Sequence, residues 1–375
     1  MTITLSPRSI LRAPIDLFHF LSQQGPNAHK HTTWKHPILV CLLHYTITTA
    51  ILLPLHDYYI QLFHLGIGSG IVSGINNTGM NNTNNIIHNI HAQDKSQQIA
   101  AFTIQYFTLL ITYRILQNKN NPLLQKACLY ENTWLCNSTL YFAAIGLYTH
   151  RPLLVTSHLI AVSIDQILWY VDLTGFMLSS IFSVGVCGTG TGTRKGTFPI
   201  GVAKYLTWPE TSFATRITCT HHLWTIPVLL YGCWCWTLTH GNVSRSVSGS
   251  VSVSGTDNGN VSGNDNGLAL TLTLLDFMGG AAYGFSAIVM SLSVGLSRWM
   301  TPFYITDVDR DSAKKYLNVN LSHELWRDIT FDFLQIQYDN PSTGVYLFRL
   351  LWRWQLLNGI IFVLVLRPLS QWFFL

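Results

Sequence analysis

Seven apolar stretches recur along the chain, near residues 37–55, 99–116, 134–149, 153–174, 217–238, 268–296 and 344–366. A helix rising ~1.5 Å per residue needs about 20 residues to cross a hydrocarbon core of ~30 Å, and most of these stretches approach or exceed that length. The expected fold is therefore an all-α integral membrane protein with about seven transmembrane helices. The stretch at 134–149 is short and carries Asn137 and Ser138, which widens the expected range to six to eight. Residues 175–187 are apolar too, and either extend the fourth helix or form a re-entrant piece.

Composition agrees. Only 10% of the 375 residues are Asp, Glu, Lys or Arg, where soluble domains carry about 25%. Mean hydropathy is +0.27. So few charges leave little to cover a soluble surface, and lipid is the covering that fits. Many Trp, Tyr and Phe side chains lie near the ends of apolar runs, where amphipathic rings prefer the membrane interface. The net charge of +5 comes without any long run of Lys or Arg, so nucleic acid is not an expected partner. Among seven cysteines the closest pair is Cys233 and Cys235, which suggests neither a disulfide framework nor a zinc site. The cysteines are expected to behave as small buried hydrophobes.

Loop charges set an orientation, because basic loops stay cytoplasmic. With a cytoplasmic amino terminus and seven spans, the cytoplasmic side receives sixteen Lys and Arg, among them Arg114, Lys119, Lys126, Lys204 and Arg216. The other side receives four: Lys95, Arg151, Arg245 and Arg367. The glycosylation sequons at Asn76, Asn81, Asn242 and Asn260 fall on that second side, and the sequon at Asn320 falls on the cytoplasmic one. An endoplasmic reticulum or other secretory-pathway membrane follows as the expected location. No cleavable signal peptide is evident.

The expected organisation is a cytoplasmic segment 1–36 followed by one membrane domain, 37–375. Within 1–36, "SPRSILRAPIDLFHFL" suits either a surface-lying amphipathic helix or a plain tail. The outside loops 68–98 and 241–267 contain low-complexity Gly, Asn, Ser and Val sequence and are expected to be flexible insertions. The cytoplasmic segment 301–341 contains "SHELWRDITFDFLQIQYD", whose apolar residues recur at helical spacing like a surface amphipathic helix.

One segment raises the question of function. "HLIAVSIDQILWYVDLTGF", residues 158–176, carries His158, Asp165 and Asp172 seven residues apart. That interval is nearly two helical turns, so the three share one stripe. Ionisable groups inside a bilayer cost about 2.5–3.5 kcal/mol each on insertion scales, so the stripe should face the bundle interior. It suits a proton or ion path, a substrate cavity, a catalytic or metal constellation, or interhelical hydrogen bonds that lock packing.

Topology offers partners. Asp172 should lie near the cytoplasmic surface, at the depth of His221 and His222 in "RITCTHHLW". A carboxylate that orients a histidine makes a general base, and His323 or Glu324 is a candidate third metal ligand. Asp276 should lie at the depth of His158 near the outside end, where a His158–Asp276 pair would act as a clasp or gate. Lys204 and Arg216 are candidates for holding an anionic headgroup or for plain anchoring at the interface.

The histidine boxes of membrane desaturases and hydroxylases are missing, as is a lysine in the last span of the kind retinal proteins use. No nucleophile motif stands out. Two functional readings remain beside a non-catalytic assembly protein. One is a membrane-embedded enzyme acting on a lipid or amphiphile through Asp172, His221 and His222. The other is a proton-coupled transporter that uses His158, Asp165 and Asp172, with Asp276, as its path. The lipid bilayer is the partner common to all of them.

Overall fold

The computed structural model describes residues 30–31, 34–71, 83–185, 196–209, 211–248, 265–306, 314–317, 319–322 and 343–374. Among these the chain is mostly helical. The helices are α1 (Lys35–Ile71), α2 (Thr83–Gln117), α3 (Pro122–Glu131), α4 (Leu135–Tyr148), α5 (Pro152–Gly185), α6 (Phe213–Thr218), α7 (His221–Ser248), α8 (Asp265–Met300), α9 (Thr343–Ile361) and α10 (Arg367–Phe374). A π-helical turn, Phe362–Leu366, links the last two.

Six of the seven apolar stretches fall on continuous helix, and the stretch at 217–238 is divided between α6 and α7 by a turn at residues 219–220. Five are long and apolar enough to cross a membrane: Lys35–Gln61, Lys95–Gln117, Pro152–Phe182, Gly279–Met300 and Val345–Ser370. An integral membrane protein requires helices of this kind. The stretch at 134–149 becomes α4, whose 14 residues rise only ~21 Å. α5 runs unbroken to Gly185, so residues 175–185 extend the fourth apolar helix rather than turning back. α2 begins at Thr83 and α7 continues to Ser248, so helix reaches into both stretches read as low-complexity loops.

Two helices form the centre. The apolar windows of α5 and α8 are 72% and 61% buried, against 22–28% for the other three candidate spans. Every residue from Pro152 to Ile164 is buried, and α5 packs against α4, α7, α8 and α9. Its start is fixed by local chemistry. His150, with a left-handed φ of 56°, ends α4, and Pro152 sits at the first turn of α5, where its missing N–H costs nothing. Between them Arg151 makes a two-pronged ion pair with Asp57 of α1, both contacts at 3.0 Å.

Lipid tails are as apolar as Leu side chains, so contact between spans relies on close packing and hydrogen bonds. Asn358 of α9 supplies such bonds at the centre. Its Oδ1 accepts from Ser163 Oγ at 3.0 Å and from the Ile164 N–H at 2.9 Å, while Nδ2 donates to the Ala161 carbonyl and to Met290 Sδ. Nearby, Gly359 meets Tyr283 so closely that a Cβ would come within 2.9 Å of the ring.

A second apolar cluster, including Val40, Leu123, Tyr130, Met300 and Ile305, closes one end of the bundle. A three-stranded sheet joins it: β1 (Lys30–His31) runs parallel to β2 (Tyr304–Thr306), which pairs antiparallel with β3 (Lys314–Tyr316). Beside it Asn320, at φ 54°, is almost fully buried. Its Nδ2 donates to the Thr133 and Ser293 carbonyls and to Ser297 Oγ, and its Oδ1 accepts from the Leu135 N–H. The sequon nitrogen is therefore fully engaged within the fold.

Of the sequence-read features, Asn76, Asn81, Asn260, His323, Glu324 and residues 1–24 lie outside the described residues, as does the core of the 301–341 segment. Asn242 and Asp276 lie on α7 and α8, but their side chains are outside the description.

Candidate functional site

The stripe on α5 serves three separate purposes. His158 is 1% exposed; its Nδ1 donates to the Leu154 carbonyl of its own helix at 2.8 Å, and its ring stacks on Phe142. Asp172, two turns past the centre, is fully buried. Its Oδ1 accepts from the backbone N–H groups of Ile200 at 2.6 Å and Gly201 at 3.1 Å, and its Oδ2 accepts from Ala203 at 2.8 Å. The carboxylate thus holds the segment 196–209 against α5, helped by Gly175, where a Cβ would strike Pro199 at 2.5 Å. The expected pairing of Asp172 with His221 or His222 does not form, because both carboxylate oxygens are spent on this loop.

The two histidines meet other residues. A tight turn after α6 carries the chain into α7, so His221 and His222 open that helix with ring centroids 4.1 Å apart. His221 is 1% exposed. Its Nδ1 donates to the Thr218 carbonyl at 2.6 Å, and its Nε2 is buried without a partner. A carbonyl can only accept, so Nδ1 carries the proton and Nε2 presents a bare lone pair. His222 stacks on Trp169 of α5, and its Nδ1 lies 2.7 Å from Gln166 Nε2. The Gln166 Oε1 is also buried without a partner.

The third member of the cluster is Cys136, in the first turn of α4. One ligand atom from each of Cys136, His221 and His222 lies within 4.8 Å of the others. The cysteines among the described residues are free, and Cys136 stands beside two imidazoles. Asp165, half-buried on α5, lies within electrostatic reach of its sulfur.

A buried cation completes the surroundings. Arg114, near the end of α2, is 6% exposed and donates through Nε to Thr218 Oγ1 at 2.6 Å. Its Nη1 stands 4.0 Å from Glu131, and its Nη2 lies 3.7 Å from Cys219 Sγ. Thr218 therefore links the guanidinium to His221, and the Tyr106 hydroxyl reaches the same Thr218 carbonyl at 3.1 Å. The Tyr205 hydroxyl, raised well above its ordinary pKa by burial, stays protonated and donates to Cys219 Sγ at 3.1 Å.

The structure thus gathers His221, His222 and Asp165, and adds Cys136, Gln166, Trp169 and Arg114, which the sequence did not single out. Lys204 and Arg216 are exposed, and Arg216 donates to the Trp208 carbonyl at 2.9 Å. Neither touches the histidines. Among the described residues Cys136, His221 and His222 form the one group of three side chains suited to holding a metal ion. Set against family models, curated proteins and solved structures, the chain matches none of them.

Proposed function

We propose that this chain is a multi-pass membrane enzyme acting on a lipid or other amphiphile, with Cys136, Asp165, His221 and His222 as its reacting centre. The observation that carries this reading is the unpartnered Nε2 of His221, an acceptor held in a fixed tautomer by Thr218 and buried beside a thiol and a second imidazole. A buried acceptor without a partner costs about 1–3 kcal/mol. A fold that retains one next to other titratable groups has placed it for a proton or a ligand. In this reading His221 is the general base, His222 and Asp165 share the proton load, and Arg114 holds His221 in place through Thr218. Asp172 positions the 196–209 segment, whose Lys204, with nearby Arg216, offers contacts for an anionic headgroup.

The orientation belongs to the same proposal. Seven spans with the amino terminus in the cytoplasm put sixteen Lys and Arg on one side and four on the other. The centre then opens toward the cytoplasm, while Asn76, Asn81, Asn242 and Asn260 face the lumen of a secretory-pathway membrane as glycosylation sites.

A proton-coupled carrier is the second reading, favoured by half-buried Asp165 in the middle of a span. Against a relay along the stripe, His158 spends its Nδ1 on Leu154 and Asp172 spends both oxygens on the loop.

The test is a panel of fluorescent ester-, amide- and phosphoester-linked amphiphiles, incubated with purified protein in nanodiscs. One linkage class should turn over, with His221→Gln lowering kcat by roughly 10²–10⁴-fold. A well-folded protein inert to every class, or unchanged kcat in His221→Gln, overturns the reading.

A further inference from the structure

We infer that Cys136, His221 and His222 form a zinc site with an open fourth position, an inference that rests on the enzymatic reading above, names its metal, and makes His221 a ligand, so that the role of proton acceptor would pass from His221 to Asp165. A thiolate and two imidazoles are a donor set that zinc favours, with Zn–S near ~2.3 Å and Zn–N near ~2.0–2.1 Å. Such bonds put tetrahedral ligand atoms roughly 3.5 Å apart. The three donor atoms lie within 4.8 Å of one another, so a closure of about an ångström completes the geometry.

The surroundings already follow the pattern of a metal site. A ligating histidine donates its second N–H to a carbonyl, carboxylate or water, which fixes the tautomer and aims the other nitrogen at the ion. His221 does this with the Thr218 carbonyl, and its remaining nitrogen is buried with nothing to bond. His222 can do the same with Gln166. Turning that amide over brings Oε1 to accept from Nδ1–H, which satisfies the buried oxygen and frees the Nε2 lone pair. One ion would thus engage the unpartnered His221 nitrogen directly and satisfy the Gln166 oxygen through His222.

Charge also closes. Cys136 lies in the first turn of α4, and a divalent cation bound there would itself hold the sulfur as a thiolate. A divalent cation with one thiolate would leave one positive charge, which would favour the ionised form of Asp165, a carboxyl group within electrostatic reach of the sulfur. Arg114 is matched separately by Glu131. The three protein ligands come from two helices, and the position left for water or substrate is the arrangement of a catalytic rather than a structural zinc site.

Elemental analysis of the full chain, purified in detergent without chelator, tests the inference. The wild type should carry about one zinc per chain, falling to under about a tenth in Cys136→Ala, His221→Ala and His222→Ala. A second measurement needs no variant. Cobalt(II) added to metal-stripped wild-type protein should give tetrahedral d–d bands with a near-ultraviolet sulfur-to-cobalt charge-transfer band. Folded wild type that takes up neither zinc nor cobalt, or zinc content unchanged in all three variants, overturns the inference. Zinc present without turnover of any amphiphile would refute the enzymatic reading alone, and turnover without zinc would refute the metal alone.

Discussion

Replacing Asp172 with Asn separates a positioning role from a catalytic one. In the wild type three backbone N–H groups converge on one carboxylate, two on Oδ1 and one on Oδ2. Hydrogen bonds to a charged acceptor contribute about 1.5–3 kcal/mol each, roughly twice the neutral value. The Asn amide keeps one oxygen, which can still accept from Ile200 and Gly201 at neutral strength. Its NH2 group would face the Ala203 N–H, donor against donor, and Ala203 is fully buried. Two weakened bonds and one lost bond sum to on the order of 3 kcal/mol. That loss falls on the local opening of 196–209 rather than on the bundle, so amide exchange there should accelerate about a hundredfold. Hydrogen–deuterium exchange by mass spectrometry reads this directly. Peptides covering Ile200–Ala203 should lose protection while peptides from α8 keep theirs. Amides at 200–203 as protected in Asp172→Asn as in the wild type would show that the carboxylate does not hold this segment. Zinc loss from Asp172→Asn equal to that from His221→Ala would refute a purely positioning role.

Other substitutions probe the frame that holds the centre. Asn358→Ala removes four hydrogen bonds joining α5, α8 and α9. Interhelical bonds in bilayers average ~0.6 kcal/mol, so the loss should reach about 2 kcal/mol and lower the thermal midpoint measured by tryptophan fluorescence. Asn320→Ala breaks four bonds at a left-handed residue and should cost about 3–5 kcal/mol, visible as a loss of monodisperse protein. The native Asn320 should carry no glycan, so mutating its sequon leaves gel mobility unchanged. A double-mutant cycle between Asp57 and Arg151 should give a coupling below about 1 kcal/mol that shrinks with salt, because the carboxylate is half exposed. Gly359→Ala should destabilise by about 1–3 kcal/mol as the new methyl group displaces Tyr283.

The helices were legible because a bilayer makes its demand locally: a long apolar run states its own fate. The interior direction of the α5 stripe was legible for the same reason, since ionisable groups avoid lipid. What each stripe residue bonds was not legible. Asp172 and the His pair were matched by depth alone, and depth cannot say that a loop some thirty residues onward would turn its amides to the carboxylate. Cys136 escaped notice because it stands 85 residues from His221, in the shortest apolar stretch, with no second cysteine or histidine at ligand spacing. Asn137 and Ser138 marked that stretch as unusual, and the polar start of α4 is where the site forms. The sheet was hidden because its strands are two or three residues long and β1 meets β2 across more than 270 positions.

X-ray absorption at the zinc edge, on the full chain in detergent, shows whether the Cys136 sulfur is bonded to a metal. A zinc held by Cys136, His221 and His222 should show one sulfur scatterer at ~2.3 Å and two or three nitrogen or oxygen scatterers at ~2.0–2.1 Å, with the sulfur shell gone in Cys136→Ser. A first shell of oxygen and nitrogen alone in the wild type would contradict it.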